Sequence, residues 1–135
     1  MQVTKTERFP IRVQSDVVVV RQKVRNWTIE LGLSLIDQTK VITAASELAR
    51  NTLEYGGGGE VELASLKNDI GKNGLRLIFE DQGPGIPDIN LALTDGYTSG
   101  GGLGMGLSGS RRLMNEFNIE SEVGKGTRVT VIKWK

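Results

Sequence analysis

The stretch LRLIFEDQGPGIP, residues 75–87, joins an apolar run to two acids and then to glycines and prolines. Residues 75–79 favour a strand, and the glycines and prolines that follow end it. An acid such as Asp81 at a strand end, followed by glycines that let the backbone approach a ligand, is typical of a site where a carboxylate accepts a hydrogen bond from an exocyclic amine. An ordinary turn also uses Asp, Gly and Pro, so the stretch alone leaves both interpretations open.

Further strands are predicted on either side of this stretch. Residues 60–67 and 74–81 predict a hairpin around a turn rich in Asn and Gly. Residues 2–13 predict an edge strand, because Pro10 lacks the N–H that a central strand needs. Two closing strands are separated by the turn Gly124-Lys125-Gly126.

Three helices are predicted from apolar residues at helical spacing. The first covers residues 15–32, with Ser15 as its N-cap, the second residues 35–55 and the third residues 105–116. Four glycines end the second helix, and a loop over residues 82–102, interrupted by a short turn at residues 88–93, precedes the third.

Strands that come in pairs and helices that come singly predict an α+β fold. We expect a two-layer sandwich in which helices pack on one face of a mixed, mostly antiparallel sheet. With 135 residues and no linker or repeat, the chain is predicted to form a single domain over residues 1–135. Val18 and Val19 lie outside the apolar stripe of the first helix, and extra contact with the core is favoured for them over a dimer or partner face.

The composition excludes several kinds of chemistry. The chain has no cysteine and no histidine, so it cannot form a disulfide, a thiolate or imidazole zinc site, or a Ser-His-Asp or Cys-His nucleophile. The formal net charge is +1, and the charges are interspersed, which argues against a nucleic-acid partner. Neither a signal segment nor an apolar run of membrane-spanning length is found, so we expect a cytoplasmic protein with no membrane partner.

Glu47 and Asn51 are four residues apart on the second predicted helix and therefore project from one face, beside its buried stripe. A carboxylate and an amide oxygen placed together suit Mg²⁺, which prefers oxygen ligands and keeps much of its water. A solvated helix face that happens to carry both residues is the favoured alternative for this pair alone.

The stretch GGGLGMGL, residues 100–107, leads into the third predicted helix. Backbone N–H groups and the positive end of a helix dipole favour phosphate at such a place. The stretch has neither the Lys-Ser/Thr of a Walker loop nor the strand context of a dinucleotide-binding fingerprint, so a glycine-rich loop without a ligand stays open. Arg111 and Arg112 lie farther into the helix, where contact with solvent or a partner is favoured over contact with phosphate.

Four segments in order resemble the N, G1, G2 and G3 boxes of the GHKL ATPase superfamily, and the resemblance covers residues 40–135. The segments are Glu47…Asn51, Asp81-x-Gly83-x-Gly85, Gly102-x-Gly104-Met105-Gly106-Leu107 and Gly124-x-Gly126-Thr127. The short chain and the stretch RNTLEYGGGG, residues 50–59, resemble the serine/threonine kinases of that superfamily that act as anti-sigma factors and as switch kinases of the bacterial stressosome.

The resemblance implies a Bergerat-type fold that binds ATP and Mg²⁺. It implies that Glu47 is the general base, that Asn51 ligates Mg²⁺ and that Asp81 accepts from the adenine amine. Thr127 would support Asp81 through water, and Gly83 and Gly85 would give the base room. The remaining implied nucleotide-binding residues, in the lid and phosphate-binding turn, are Gly102, Gly104, Met105, Gly106 and Leu107.

The implied function is a protein serine/threonine kinase that phosphorylates STAS-domain partners, the antagonist or scaffold of a stressosome. Once released, it would bind and activate a downstream phosphatase. A non-catalytic, anti-sigma-like module whose conformation is set by nucleotide is one alternative. The detached ATPase domain of a histidine kinase is another, and it would need a separate chain to accept the phosphate, because this chain has no histidine.

Overall fold

The described part of the molecule is a five-stranded sheet with a layer of helices on one of its faces. The structure, a computed structural model, describes residues 1–94 and 107–135. Its elements in chain order are β1 Gln2–Ile11, α1 Gln14–Glu30, α2 Leu35–Glu54, β2 Gly59–Lys67, β3 Asn73–Asp81, α3 Ile89–Ala92, α4 Leu107–Leu113, β4 Glu116–Glu122 and β5 Gly126–Trp134.

The strand order is β1-β2-β3-β5-β4, and all four pairs are antiparallel. The predicted hairpin is confirmed, because β2 pairs with β3 and Leu63 lies opposite Leu77. The first strand lies at an edge, as Pro10 predicts. The α+β two-layer prediction is confirmed, and the described sheet is antiparallel throughout rather than mixed.

Helix α2 is the element that joins the two layers. Its N-cap Ser34 accepts a hydrogen bond from the Asp37 N–H at 3.1 Å, so one of the free donors of the first turn is satisfied. Its buried face lies over strands β1, β2 and β3, with α1 and α4 beside it. Leu48 of this face and Phe79 of β3 are among the largest fully buried side chains, and burial of each contributes about 2 kcal/mol.

Helix α1 differs from its prediction at its start and along its outer face. It begins at Gln14 after Val13, and the Asp16 carboxylate accepts from the N–H groups of Arg12 and Val13 at 2.8 and 3.2 Å, so Ser15 is not the cap. Val18 is 60% exposed and Val19 45%. The interpretation of these two valines as core contacts is therefore wrong, because a single stripe of α1 already fills its contact with α2 and β1.

The third predicted helix is shorter than expected at its C-terminal end. It ends at Leu113, and Glu116 instead begins β4 opposite Ile132. Long-range pairing causes this change from helix to strand, since the Asn115 N–H donates to the Ile132 carbonyl at 3.0 Å. None of the helices in residues 1–94 and 107–135 is both long and apolar enough to cross a membrane.

The sheet face away from the helices carries a row of ion pairs. Arg8 contacts Glu60 at 3.2 Å and Glu62 at 2.9 Å, and Arg128 contacts Glu80 at 3.1 Å. These charges alternate along the strands with the apolar residues of the core. Asp81 lies on the other face of the sheet, which is covered by the helices, because it shares the alternation of Leu77 and Phe79.

Candidate nucleotide site

Asp81 is the last residue of β3, and its side chain lies on the helix-facing side of the sheet. Strand alternation places it there after Leu75, Leu77 and Phe79, so it closes an apolar row. The residue is only 8% exposed, and the Gly83 N–H donates to its Oδ1 at 2.9 Å. One buried carboxylate oxygen is thus held in place by the backbone of the following turn.

Burial raises the pKa of Asp81, because removal from water disfavours the charged form. Hydrogen bonds from the backbone amides of Gly83 and Thr127 lower this pKa, and the neighbouring charge of Glu80 raises it further. The desolvation effect is the largest of these. A perturbed carboxyl in a cleft is a functional-site candidate with a physical cause.

Close backbone approach explains the glycines around Asp81. A Cβ on Gly83 would lie 2.7 Å from the Cα of Gly56, and a Cβ on Gly56 would collide with the Asp81 carboxylate. Gly85 has φ +77°, and a Cβ there would collide with the Glu122 carbonyl. The residue after α2 therefore packs against the Asp81 carboxylate, and the end of β4 packs against the turn that follows it.

A cleft between α2 and the sheet brings together four of the residues predicted from the sequence: Asn51, Asp81, Leu107 and Thr127. Thr127 lies directly opposite Asp81 in the β3–β5 register. The other residues that line this cleft are Leu48, Thr52, Tyr55, Phe79, Ile86 and Val129. The walls are mostly apolar with a few convergent polar groups, and the free space between them is about 20 Å³, room for about one water molecule, so a flat ring would have to widen the cleft.

Glu47 lies one turn before Asn51 on α2 and is not among the residues that line this cleft. Its side chain is 33% exposed, and its Oε1 contacts Nη1 of Arg50 at 2.8 Å. Glu47 and Asn51 are both partly exposed, as their position beside the buried stripe of α2 predicts. Of the predicted site residues, Gly102, Gly104, Met105 and Gly106 lie outside the described residues.

The donor set fits Mg²⁺ that arrives with phosphates. In the part of the chain that the structure describes, no group of three or more His, Cys, Asp or Glu could hold a metal ion. Glu47 and Asn51 nevertheless offer hard oxygen atoms on one face of α2. Mg²⁺ commonly takes only one or two protein ligands and completes its shell with water and substrate phosphates.

Sequence reasoning missed two polar residues at this site. Tyr55 donates from its hydroxyl to the Gly85 carbonyl at 2.9 Å. Ser121 accepts from the Ile86 N–H at 2.7 Å and contacts Oγ1 of Thr127 at 2.8 Å. A signal existed for each: Tyr55 follows Asn51 by four residues on a helix, and Ser121 continues the alternation of Phe117 and Ile119 along β4.

Comparison with known families matches residues 36–135 to the model described as "Histidine kinase-, DNA gyrase B-, and HSP90-like ATPase". The chain belongs to this family. The match includes all four predicted boxes, and the resemblance seen in the sequence is confirmed.

Within this family, the chain is similar to a serine/threonine kinase and to anti-sigma factors. The chain is 48% identical over 124 residues to the serine/threonine-protein kinase RsbT of Bacillus subtilis, with 92% of each chain covered. It is 34% identical over 116 residues to an anti-sigma F factor of Clostridium kluyveri, covering 84% of this chain and 82% of the relative. At the level of enzyme class, the prediction of a serine/threonine-protein kinase is confirmed by the first similarity.

A solved structure supports the same fold. The RsbU and RsbW domains of a Mycobacterium tuberculosis protein superpose with a TM-score of 0.62 at 20% identity, covering 98% of this chain. The chain spans 33% of the length of that structure. At this identity the likeness concerns the fold alone.

Proposed function

We propose that the chain binds Mg-ATP in the cleft between α2 and the sheet and transfers the γ-phosphoryl group to a serine or threonine hydroxyl of a partner protein. The observation that carries the proposal is the convergence of Asn51, Asp81, Leu107 and Thr127 on one cleft. These residues come from all four boxes, one from each, and most of the walls of the cleft are apolar.

Asp81 recognises the base in this proposal. The Gly83 N–H donates to its Oδ1 and the Thr127 amide also donates to the carboxylate, and the lone pairs that remain can accept from the exocyclic amine of adenine. Gly56 and Gly83 let the backbone pack closely beside that carboxylate, which fixes its position for the base. Leu48, Phe79 and Ile86 supply apolar contact to the base.

Asn51 would hold Mg²⁺ through its side-chain oxygen, and the ion would supply charge neutralisation at the phosphates. Glu47 lies one turn away along the same face of α2. It accepts the proton of the incoming hydroxyl as that oxygen bonds to the γ-phosphorus, while the bond to the β–γ bridging oxygen breaks and ADP leaves. Arg50 at 2.8 Å keeps the Glu47 carboxylate oriented before the acceptor arrives.

A STAS-domain protein, the antagonist or scaffold of a stress-signalling complex, is the proposed acceptor, and a downstream phosphatase is the proposed target once the kinase is released. The similarity to the kinase RsbT and to an anti-sigma factor supports a partner-switching role. The exposed valines of α1 offer an apolar surface to a protein partner.

A non-catalytic binding module is the second candidate, and the similarity to anti-sigma F factors favours it. In such a module nucleotide would set the conformation that holds the partner, and no phosphate would be transferred. Sequestration and phosphorylation can use one surface, so partner binding alone does not distinguish the candidates.

The test incubates the chain with γ-labelled ATP, Mg²⁺ and candidate STAS-domain proteins. Glu47→Ala and Asp81→Asn are expected to abolish transfer of the label. Glu7→Ala and Asp69→Asn, which change exposed acids outside the cleft, serve as matched controls and should retain it. Label transfer that survives both site changes contradicts the assignment of the site, and tight partner binding without any transfer favours the non-catalytic module.

A further inference from the structure

The Ser121 hydroxyl lies where three segments of the candidate site meet. Its Oγ is 2.7 Å from the Ile86 nitrogen, 3.0 Å from the Gly126 carbonyl oxygen and 2.8 Å from Oγ1 of Thr127. Ile86 belongs to the turn after β3, and Gly126 and Thr127 begin β5. One side chain of β4 therefore connects the segments on either side of Asp81.

One assignment of the hydroxyl hydrogens satisfies all three contacts as hydrogen bonds. A serine hydroxyl has one hydrogen to donate and two lone pairs to accept with. The Ile86 N–H can only donate, and the Gly126 carbonyl can only accept, so the single Ser121 hydrogen is directed to Gly126. The remaining lone pair then accepts from Thr127, because a second donation by Ser121 is not available.

The Thr127 hydroxyl hydrogen is consequently turned away from the cleft. Thr127 lines the cleft beside Asp81, and with its hydrogen directed to Ser121 it presents only lone pairs there. Asp81 in its ionised form is also only an acceptor. Thr127 and Asp81 thus both accept, so they bind a base edge that donates hydrogen bonds and disfavour a base edge that only accepts them.

We propose that Ser121 is a specificity-determining positioning residue, which holds Thr127 as a hydrogen-bond acceptor and so selects a 6-aminopurine over a 6-oxopurine. The proposal rests on the proposed function, since it needs the base to lie at Asp81, and it adds a residue outside the four boxes. Ser121 acts through Thr127, either directly on the amine or through one water. Without Ser121 the Thr127 hydroxyl can rotate and donate to a 6-oxo group.

The experiment measures Kd for ATP and for ITP by competition with a fluorescent ATP analogue. ITP carries an oxygen in place of the 6-amino group, so the ratio Kd(ITP)/Kd(ATP) reports selection at this position. We expect Ser121→Ala to lower the ratio by roughly three- to tenfold, the effect of about one hydrogen bond. Ser121→Thr retains the hydroxyl and should restore the ratio, and Thr127→Val removes the acceptor and should also lower it.

The outcomes separate this proposal from the one on which it rests. A purely structural role of Ser121 would weaken both nucleotides equally and leave the ratio unchanged, which would overturn the proposal while Asp81-dependent ATP binding stands. If the wild-type chain binds no ATP, or if Asp81→Asn leaves Kd for ATP unchanged, the base does not lie at Asp81 and both proposals fail. A lower ratio in Ser121→Ala with recovery in Ser121→Thr supports the role of Ser121.

Discussion

The hydroxyl of Tyr55 donates a hydrogen bond to the backbone carbonyl of Gly85 at 2.9 Å, across 30 positions of sequence. Tyr55 is the C-cap of α2, which carries Asn51, and Gly85 lies in the turn that follows Asp81. The helix proposed to hold the phosphates and the turn proposed to hold the base are thus connected by one side chain.

Tyr55→Phe removes this connection and leaves the aromatic packing in place. We expect the free energy of unfolding to fall by about 1 kcal/mol, because the buried Gly85 carbonyl loses its donor. KM for ATP should rise with little change in kcat, because the lost bond holds the proposed base-binding turn against α2 and does not involve the hydroxyl that receives the phosphate. Denaturant unfolding and steady-state kinetics measure the two effects, and an unchanged KM would argue against a link between the turn and the nucleotide.

Gly85→Ala should be much more costly than Gly71→Ala. Both glycines have positive φ, +77° and +79°, so each substitution strains the backbone by roughly 1–2 kcal/mol. Only Gly85 would also bring a Cβ into the Glu122 carbonyl, whereas Gly71 has open space, so overpacking should add about 1–3 kcal/mol at Gly85 alone. Urea unfolding of both variants tests the difference, and equal losses would contradict the close approach.

The raised pKa of Asp81 makes its contribution to stability depend on pH. The folded chain binds this proton more tightly than the unfolded chain, in which the pKa of the carboxyl has its ordinary value of 3.8. The contribution of Asp81 to stability is therefore largest below pH 3.8. It falls as pH rises through the folded pKa. Asp81→Asn cannot lose a proton, so the variant should gain stability relative to wild type as pH rises.

Thermal unfolding of wild type and Asp81→Asn from about pH 4 to about pH 8 measures this gain. Asp69→Asn, at an exposed acid of the β2–β3 turn, serves as the control and should follow the wild type. A stability difference between Asp81→Asn and wild type that stays constant with pH would contradict the prediction. ATP affinity should behave in the opposite way, because the ionised carboxylate accepts from the amine, and so it should weaken as pH falls.

Lys133 connects the first turn of α2 with the last residue of α4. Its side chain is 7% exposed, and its Nζ donates to the Leu113 carbonyl at 2.9 Å and lies 3.7 Å from Oδ1 of Asp37. Lys133→Met should lower the free energy of unfolding by about 1–3 kcal/mol, since both partners lose a charged donor. The exposed Lys125→Met should change it by less than about 0.5 kcal/mol, and similar values for the two variants would refute a structural role of Lys133.

Val18→Glu should weaken capture of a protein partner without unfolding the chain. Val18 is exposed on α1, so stability should change by less than about 0.5 kcal/mol. Ile70→Glu changes another exposed apolar residue, in the β2–β3 turn, and should leave partner binding intact. Binding of a candidate STAS-domain protein to both variants, measured by calorimetry, compares the two surfaces. Equal affinity would remove α1 from the proposed interface.

Local patterns were sufficient for much of the fold. Helix α2 was predicted over residues 35–55 and observed over Leu35–Glu54, because its apolar spacing and its terminal glycines are both local signals. The hairpin of β2 and β3 was predicted for the same reason. Long-range pairing was not predicted: β5 lies between β3 and β4, and this pairing turns Glu116 from a helical residue into a strand residue.

The residues of the candidate site also fall into those that local sequence patterns predict and those that they do not. Asp81 and Asn51 were predicted because each belongs to a short motif with a recognisable order. Ser121 was not, because its role depends on a turn 35 positions away in the sequence, and the alternation along β4 gives only the face on which the serine lies. The roles proposed for Glu47, Asn51, Asp81 and Thr127 remain predictions for the experiments above.

Strand β3 is hydrogen-bonded on both sides, by β2 and by β5, and Asp81 is its last residue. Amide hydrogens in the interior of such a strand exchange only through large-scale opening, whereas a seven-residue helix such as α4 can open alone. Native-state hydrogen exchange should therefore find the proposed base-binding half of the cleft slow and the α4 half fast. Nucleotide would then bind against the slowly exchanging β3 half of the cleft, and it would slow amide exchange in the α4 half.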